Sequence, residues 1–363
     1  MKIAIDISQI VYGTGVSVYT ENLVKTLVKK YSQVDWVLFG GVFRKKKIIE
    51  DFIENLQVKG VIKLFPPKLA DLVWNKLHIF PIENWIGNVD LIHSSDWAEP
   101  PSKIPKITTV HDLVPLMYPE TTTSLIKIAH EKRLSWIKKE SKRIIAVSES
   151  TKNDLVKHLG IKANRIDVTY EGVEDIYYPR THNEIERIKY KYQIDGEYLF
   201  SLSTLEPRKN QGKLIEAFKR IRLKYPNLKL VLGGRVGWGD ELKLSENIIT
   251  LGYIPTKDLP AIFSGSLVYI LPSLYEGFGL SQLQAMSCGT PVVTSNISSM
   301  PEVVGDAGLL VNPYKTRDIA EGIITAIKDR KKLIKRGLLR AKTFSWDLVA
   351  ERTFNSYKSI LNP

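Results

Sequence analysis

The residues best suited to chemistry stand in two short stretches of the second half of the chain. One is Thr204-Leu205-Glu206-Pro207-Arg208-Lys209-Asn210, the other Glu276-Gly277-Phe278-Gly279-Leu280. Arg208 offers a planar fork and Lys209 a point charge, the two cation types that bind phosphate. Glu276 supplies a carboxylate able to accept hydrogen bonds from hydroxyls, and the glycines beside it let a ligand approach the backbone. The helical run LSQLQAMSCG follows at once. The unpaired N–H groups of its first turn and the positive end of its dipole suit an anion, typically a phosphate. Singly, an Arg-Lys pair is ordinarily solvated charge and a glycine loop an ordinary connection.

The surrounding elements bring the two stretches together. LVYILP before Glu276 and PVVT after the helix read as short buried strands. Gly289 stands where a helix C-cap glycine belongs, with Pro291 beyond it. YLFSLST leads as a strand into the Arg-Lys loop, and the helix LIEAFKRIRLKY follows; KLVLGG and IITLGYI continue the series. Both loops should therefore lie at the carboxyl-end edge of one parallel sheet, where such sheets bind ligands. That convergence favours a diphosphate site.

The first half alternates in the same way. KIAIDI, WVLFGG, VDLIH, KITTV and RIIAV read as strands separated by helical stretches, which predicts a mostly parallel sheet covered on both faces. Ser150 or Thr151 is positioned to cap the helix KNDLVKHL, which Gly160 closes. Gly13-Thr14-Gly15 follows the first strand but lacks the third glycine of a dinucleotide fingerprint. No acidic residue ends the second strand, which runs into Gly40-Gly41. Both observations argue against a nicotinamide site. The pattern breaks at EGVEDIYYPRTH, so a linker is expected near residues 172–182, between an N-terminal domain over 1–175 and a second over 176–344. Helices are expected at about 316–329 and 331–343. A last one, in SWDLVAERTFNSYKSIL, presents Trp346, Leu348, Val349, Phe354, Tyr357 and Ile360 as an apolar face.

Composition narrows the class. The chain has 363 residues and a formal charge of +13, enough length for about two domains with real cores. Cys288 is the only cysteine, which excludes a disulfide framework and a cysteine metal cluster. The opening MKIAIDIS does not read as a signal peptide, and no apolar run approaches the length of a membrane span. A cytoplasmic protein is expected. The segment LFPPKLADLVWNKLHIFPIENW sets Phe65, Trp74, Phe80 and Trp85 among cations, and FRKKK, the helix from Lys127 to Arg143 and KDRKKLIKRGLLRAK are basic as well. Aromatics interleaved with cations suit the inner face of an anionic membrane; the same rings could equally form first-domain core. No nucleic-acid module is recognisable. No Asp-x-Asp occurs, and His93, Asp96, His111 and Asp112 have poor spacing for a metal, so no metal is expected.

Four segments of the second half, TLEPRKN, GYIPTKDLPAIF, LPSLYEGFGL and CGTPVVTSNISSMPEVVGDAGLLVNP, give the chain a resemblance to the family-four (group 1) retaining nucleotide-sugar glycosyltransferases of GT-B fold. The first half adds YGTGVSVYTENL, His111-Asp112-Leu113 followed by Tyr118-Pro119-Glu120, and IIAVSESTKNDL. The resemblance implies an α/β architecture of two facing Rossmann-like domains with a central cleft, and a last helix (345–363) packed back on the first domain. It implies that Arg208 and Lys209 bind the diphosphate and that Glu276 contacts the donor sugar. Phe278, Gly279 and Leu280 would hold sugar and phosphate through their backbone, Gly15 would lie beside the diphosphate, and His111 at the donor sugar. The implied reaction moves a hexose from a nucleotide-diphosphate donor, GDP-mannose being the first to test, to a glycan or lipid-linked acceptor hydroxyl. No cofactor is implied, and configuration is retained.

One position departs from the family pattern. The second glutamate of its paired-glutamate motif, which grips the ribose hydroxyls, is Gln284 here, and Ser281 and Gln282 are more polar than usual. An amide offers one acceptor oxygen where a carboxylate offers two. Taken alone, this predicts that Gln284→Glu tightens donor binding. It also keeps open a non-catalytic glycan- or membrane-binding relative; a GT-B-fold nucleotide-sugar epimerase is the other open class.

Overall fold

The computed structural model describes residues 1–94, 96–235, 237 and 245–362. The chain forms two compact units. The first comprises Met1–Gly172 together with Ser345–Pro363, the second Val173–Phe344.

In the first unit seven strands, β1 (Lys2–Asp6), β2 (Asp35–Val42), β3 (Lys59–Leu64), β4 (Leu91–Ser94), β5 (Lys106–Val110), β6 (Ser141–Ala146) and β7 (Ile166–Val168), form one sheet. Its order is β3-β2-β1-β4-β5-β6-β7 and every pairing is parallel. The central strands are buried on both faces, as continuous apolar runs require. The edge strands β3 and β7 were not predicted. KGVIKL is mostly exposed and carries lysines at both ends, and IDV is only 3 residues long, so neither presents an apolar run; lysine on an edge also discourages further pairing. β2 runs through Gly40 and Gly41, as expected, and ends at Val42. A Cβ on Gly40 would come within 2.7 Å of Ile49 Cγ2, so that glycine admits the helix Lys46–Leu56 against the sheet.

One further expectation is corrected, and one pair of alternatives is decided. The helix Glu149–Leu159 is capped by Ser148, whose Oγ accepts from Thr151 N at 3.0 Å, and not by Ser150 or Thr151. Phe65 and Trp74 are core residues, Trp74 only 1% exposed, and Trp85 packs on the same cluster. Trp74 also donates through Nε1 to Phe80 O. Of the four rings only Phe80 is exposed.

The last helix, Trp346–Leu361, packs on the helix Gly15–Lys30, with Tyr31 stacked on Phe354 at 3.7 Å. Trp346, Val349, Phe354 and Tyr357 are buried, whereas Leu348 is exposed and Ile360 only half-buried. The buried face is therefore narrower than the expected one. Tyr357 reaches the sheet, its hydroxyl 2.7 Å from His93 Nδ1.

The second unit holds β8 (Tyr198–Leu202), β9 (Lys229–Gly233), β10 (Ile248–Gly252), β11 (Val268–Leu271), β12 (Val292–Ser295) and β13 (Leu309–Val311). All are parallel, in the order β10-β9-β8-β11-β12-β13. Leu214, Phe218 and Ile221 of the helix Gln211–Arg222 and Ile319 and Ile323 of the helix Thr316–Lys328 close one face of this sheet. Strand order reverses between β8 and β11, so the crevice beyond their carboxyl ends is the natural ligand position of this unit.

Candidate active site

The loops leaving β8 and β11 at that crevice are the two stretches singled out above. They are tied together by backbone, Leu274 N donating to Arg208 O at 2.8 Å. Asn210, at φ +58°, donates through Nδ2 to Pro272 O and Pro313 O at 3.0 and 2.8 Å. The hydroxyls of Ser298 and Ser299 hold the Glu276 carbonyl at 2.7 and 2.9 Å.

Their charged side chains converge. Lys209 Nζ donates to both Glu276 oxygens, at 2.7 and 2.9 Å. The buried Arg208 guanidinium donates to Glu276 Oε2 at 3.1 Å, to Tyr275 O and to Glu206. Burial alone would raise the Glu276 carboxyl; Lys209 and Arg208 outweigh it and hold that group down to about 2. Glu276 is thus an anion throughout the working pH range, an acceptor for hydroxyls and never a proton donor.

A helix begins in the loop that carries Glu276. Gly279, at φ +124°, precedes the helix Leu280–Ser287, a conformation that favours glycine. The unpaired N–H groups of that helix's first turn, Leu280 included, open at this loop. Phe278 is buried, edge-on to Phe344. The unusual polar residues of this helix are satisfied by a chain of hydrogen bonds. Tyr269 OH donates to Ser281 Oγ (2.8 Å) and Ser281 to Gln282 Oε1 (3.0 Å). Gln282 Nε2 in turn donates to Thr294 Oγ1 (3.2 Å), and Thr294 to Leu271 O (2.8 Å). That explains how Gln282 is fully buried without penalty. Gln284 is buried too and donates through Nε2 to Glu174 Oε2 at 3.4 Å.

Gly15 and His111 belong to the first unit. Gly15 is the first residue of the helix Gly15–Lys30, and a Cβ there would meet nothing within 4 Å. His111 follows β5, edge-on to Tyr19 at 4.6 Å, with Nδ1 3.3 Å from Glu171 Oε1. Burial lowers its proton affinity, but the hydrogen bond to Glu171 and the charges of Asp96, Glu171 and Asp112 win, so its pKa lies above the ordinary histidine value. His93 behaves oppositely: burial, with His111 and Arg133 nearby, drops it to about 3, and it stays neutral. Among the described residues no cluster of three His, Cys, Asp or Glu side chains is arranged to hold a metal.

Sequence reasoning missed three carboxylates. Glu206 lies inside a quoted motif, two residues before the arginine it pairs with, and its sign could have flagged it. Glu171 and Glu174 flank the start of the second unit, far along the chain from His111 and Gln284, and no local signal marks them.

The family description "Glycosyl transferases group 1" matches residues 183–338, and "Glycosyltransferase Family 4" matches residues 13–175. An O-antigen chain mannosyltransferase B of Escherichia coli is 37% identical over 268 residues, 69% of this chain and 70% of that protein. The serotype-specific mannosyltransferase WbdA of Escherichia coli is 28% identical over 70% of this chain, a match spanning 33% of WbdA's length. Among solved structures, Anabaena Alr3699/HepE in complex with UDP and glucose superposes with a TM-score of 0.73 at 19% identity, covering 99% of this chain and 100% of that one. WaaG, a glycosyltransferase involved in lipopolysaccharide biosynthesis, superposes at 0.72 and 14% identity, over 99% of each chain. With two all-parallel Rossmann-like units and these relatives, the chain belongs to the group 1 glycosyltransferases of GT-B fold.

Proposed function

We propose that this glycosyltransferase moves a hexose from a nucleoside-diphosphate donor to a glycan or lipid-linked acceptor hydroxyl in surface polysaccharide synthesis, with retention and without a metal. GDP-mannose is the first donor to test, because relatives are named mannosyltransferases; HepE, solved with UDP, makes UDP-sugars the second. The observation that carries the reading is the meeting of Lys209, Arg208 and Glu276 where strand order reverses, beside a helix N-terminus.

Departure of a nucleoside diphosphate builds negative charge on its phosphate. Lys209, whose three donors are not exhausted by one carboxylate, and the Leu280 end of its helix would stabilise that charge in place. Arg208 is committed to Glu206, Tyr275 O and Glu276, so its part is to hold Glu276 and the loop in register as well as to add charge. Glu276 would accept from donor-sugar hydroxyls. Gly15 would lie beside the diphosphate and Gln284 at the ribose. His111, kept protonated to higher pH than usual, would donate to a sugar oxygen.

The deciding measurement is a donor panel, GDP- and UDP-sugars with a glycan acceptor, read as nucleotide release. Release that requires acceptor and survives excess EDTA is expected. Acceptor-independent turnover would favour an epimerase, and full, Mg²⁺-reversible loss in EDTA would remove the metal-free mechanism.

Association with an anionic membrane is part of the proposal, but on residues other than the tryptophans. Leu64, Leu69, Leu72, Leu77, Ile79 and Phe80 are exposed beside the exposed Lys63, Lys68 and Lys76. No helix among the described residues is long and apolar enough to cross a membrane. Flotation with anionic vesicles is expected to weaken with salt and with Leu72→Asp or Leu77→Asp. Absence of binding at low salt would sink the idea.

A further inference from the structure

Glu171 is a buried carboxylate that the reaction described above does not use. It follows β7, and the next residue, Gly172, lets the chain lie against the start of the last helix: a Cβ there would come within 2.6 Å of Trp346 N. So fixed, Glu171 is 6% exposed and its Oε1 lies 3.3 Å from His111 Nδ1. His111 is held by two further groups. Tyr19, from the helix Gly15–Lys30, packs edge-on against its ring, and Thr151 Oγ1 donates to its carbonyl at 3.4 Å. Glu171 takes Nδ1, so Nε2 is the nitrogen left for a substrate. His111 also stands in a ligand position. Asp6, Ser94, Asp96, Thr109 and His111 line one small cavity at the carboxyl ends of β1, β4 and β5. Strand order reverses between β1 and β4, which makes this the crevice of the first unit. Three carboxylates act on the ring. Asp96 is paired with the buried Arg133 at 3.3 Å and Asp112 accepts from Val114 N at 2.9 Å; of the three, Glu171 alone reaches an imidazole nitrogen. The neighbouring His93 stays neutral.

We propose that Glu171 is a positioning residue of the transfer reaction: it accepts from His111 Nδ1–H, fixes the plane of the ring and keeps His111 an imidazolium whose Nε2–H serves the substrate. The proposal rests on the reading of His111 as a donor to a sugar oxygen. A neutral His111 that still donates Nδ1–H to Glu171 carries a bare lone pair on Nε2 and cannot donate there, so the cation is the competent form. Burial opposes that charge; the hydrogen bond to Glu171 leads the influences that overcome it, ahead of the charges of Asp96, of Glu171 itself and of Asp112. Glu171→Gln isolates this role. The amide oxygen can still accept from Nδ1–H, so the ring keeps its place, while the negative charge is gone.

The test is a pair of pH titrations on the full chain. In the first, histidine labelled with carbon-13 at Cε1 is followed by NMR. The chain has 6 histidines, and the resonance missing from His111→Gln assigns His111. Its wild-type midpoint is expected above that of an unperturbed histidine, and in Glu171→Gln at a lower pH than in wild type. In the second, kcat/KM is followed with the panel donor that turns over. Wild-type activity is expected to fall on the alkaline side, as His111 loses its proton. Glu171→Gln should move that fall to lower pH and cost roughly tenfold or more at pH 8, about the worth of one charge-assisted hydrogen bond, the deficit narrowing as pH falls. Glu171→Asp, which keeps the charge, should lie between the two. A residue that only supports the fold would lower activity by the same factor at every pH. A His111 midpoint unmoved in Glu171→Gln, or a pH profile merely scaled down, overturns the proposal and leaves His111 at the donor sugar. Wild-type turnover by His111→Gln overturns that placement, and this proposal with it.

Discussion

Lys209→Ala is expected to lower turnover ~10²-fold or more, the usual loss of one preorganised charge facing a developing anion, with the fold unchanged. Lys209 is partly exposed and Arg208 remains as a partner for Glu276, so its removal strands no buried carboxylate. Since the leaving phosphate gains charge in the transition state, the loss should fall on kcat as well as on kcat/KM. Arg208→Ala is a different perturbation. It leaves Glu206 and Glu276 without their guanidinium and Tyr275 O without its donor, so lost activity is expected together with a lower unfolding midpoint. Steady-state kinetics beside a thermal melt separate the two variants. A Lys209→Ala enzyme with wild-type rates would remove the diphosphate assignment.

The second large effect is Glu276→Gln, read as stability against pH. The Glu276 carboxyl sits at about 2 in the folded state, against 4.5 for an unperturbed group. Its folded pKa is depressed, so the stabilisation is fully present above about pH 4.5 and is lost as pH falls through that value toward 2. A shift of this size corresponds to about 3 kcal/mol. The amide keeps the shape but removes the charge that Lys209 and Arg208 share, which for nearly buried groups is costly. Urea unfolding is expected to show the variant less stable by about that amount at pH 7, with the difference shrinking steadily between pH 4.5 and 2. Equal midpoints at neutral pH would mean that the two cations find other partners. Activity should fall as well, because an amide accepts from sugar hydroxyls through one oxygen only.

The sequence exposed these residues because each is a charged residue in a strand-to-helix loop that directly follows an apolar strand, and a parallel sheet delivers all such loops to one edge. Arg208, Lys209 and Glu276 needed nothing beyond that rule. Central strands such as IAID and VYIL were legible because burial on both faces demands unbroken apolar runs; KGVIKL was not, since its two lysines and its glycine leave no such run. The segment around Trp74 left two readings open for a related reason. Its lysines face outward and, Phe80 apart, its rings pack inward, and a one-dimensional mixture of the two resembles a surface. The carboxylate partners were the least visible part. Glu174 meets Gln284 across 110 positions, and only the folded chain brings an acid of one segment against an amide of another.

The discontinuity of the first unit bears on how the protein is made. A ribosome delivers residues 1–172 long before Ser345–Leu361, yet that late segment supplies Tyr357 to His93, Ser356 to Asp167 at 2.7 Å and Phe354 to Tyr31. The nascent first unit must therefore wait, its sheet face uncovered by the last helix, while the whole second unit, a continuous stretch of chain, emerges and folds. Synthesis order and folding order are thus inverted: the half that is translated first is finished last, and a chain stopped short of Trp346 carries a complete second unit beside an unclosed first one, a natural substrate for chaperones and proteases.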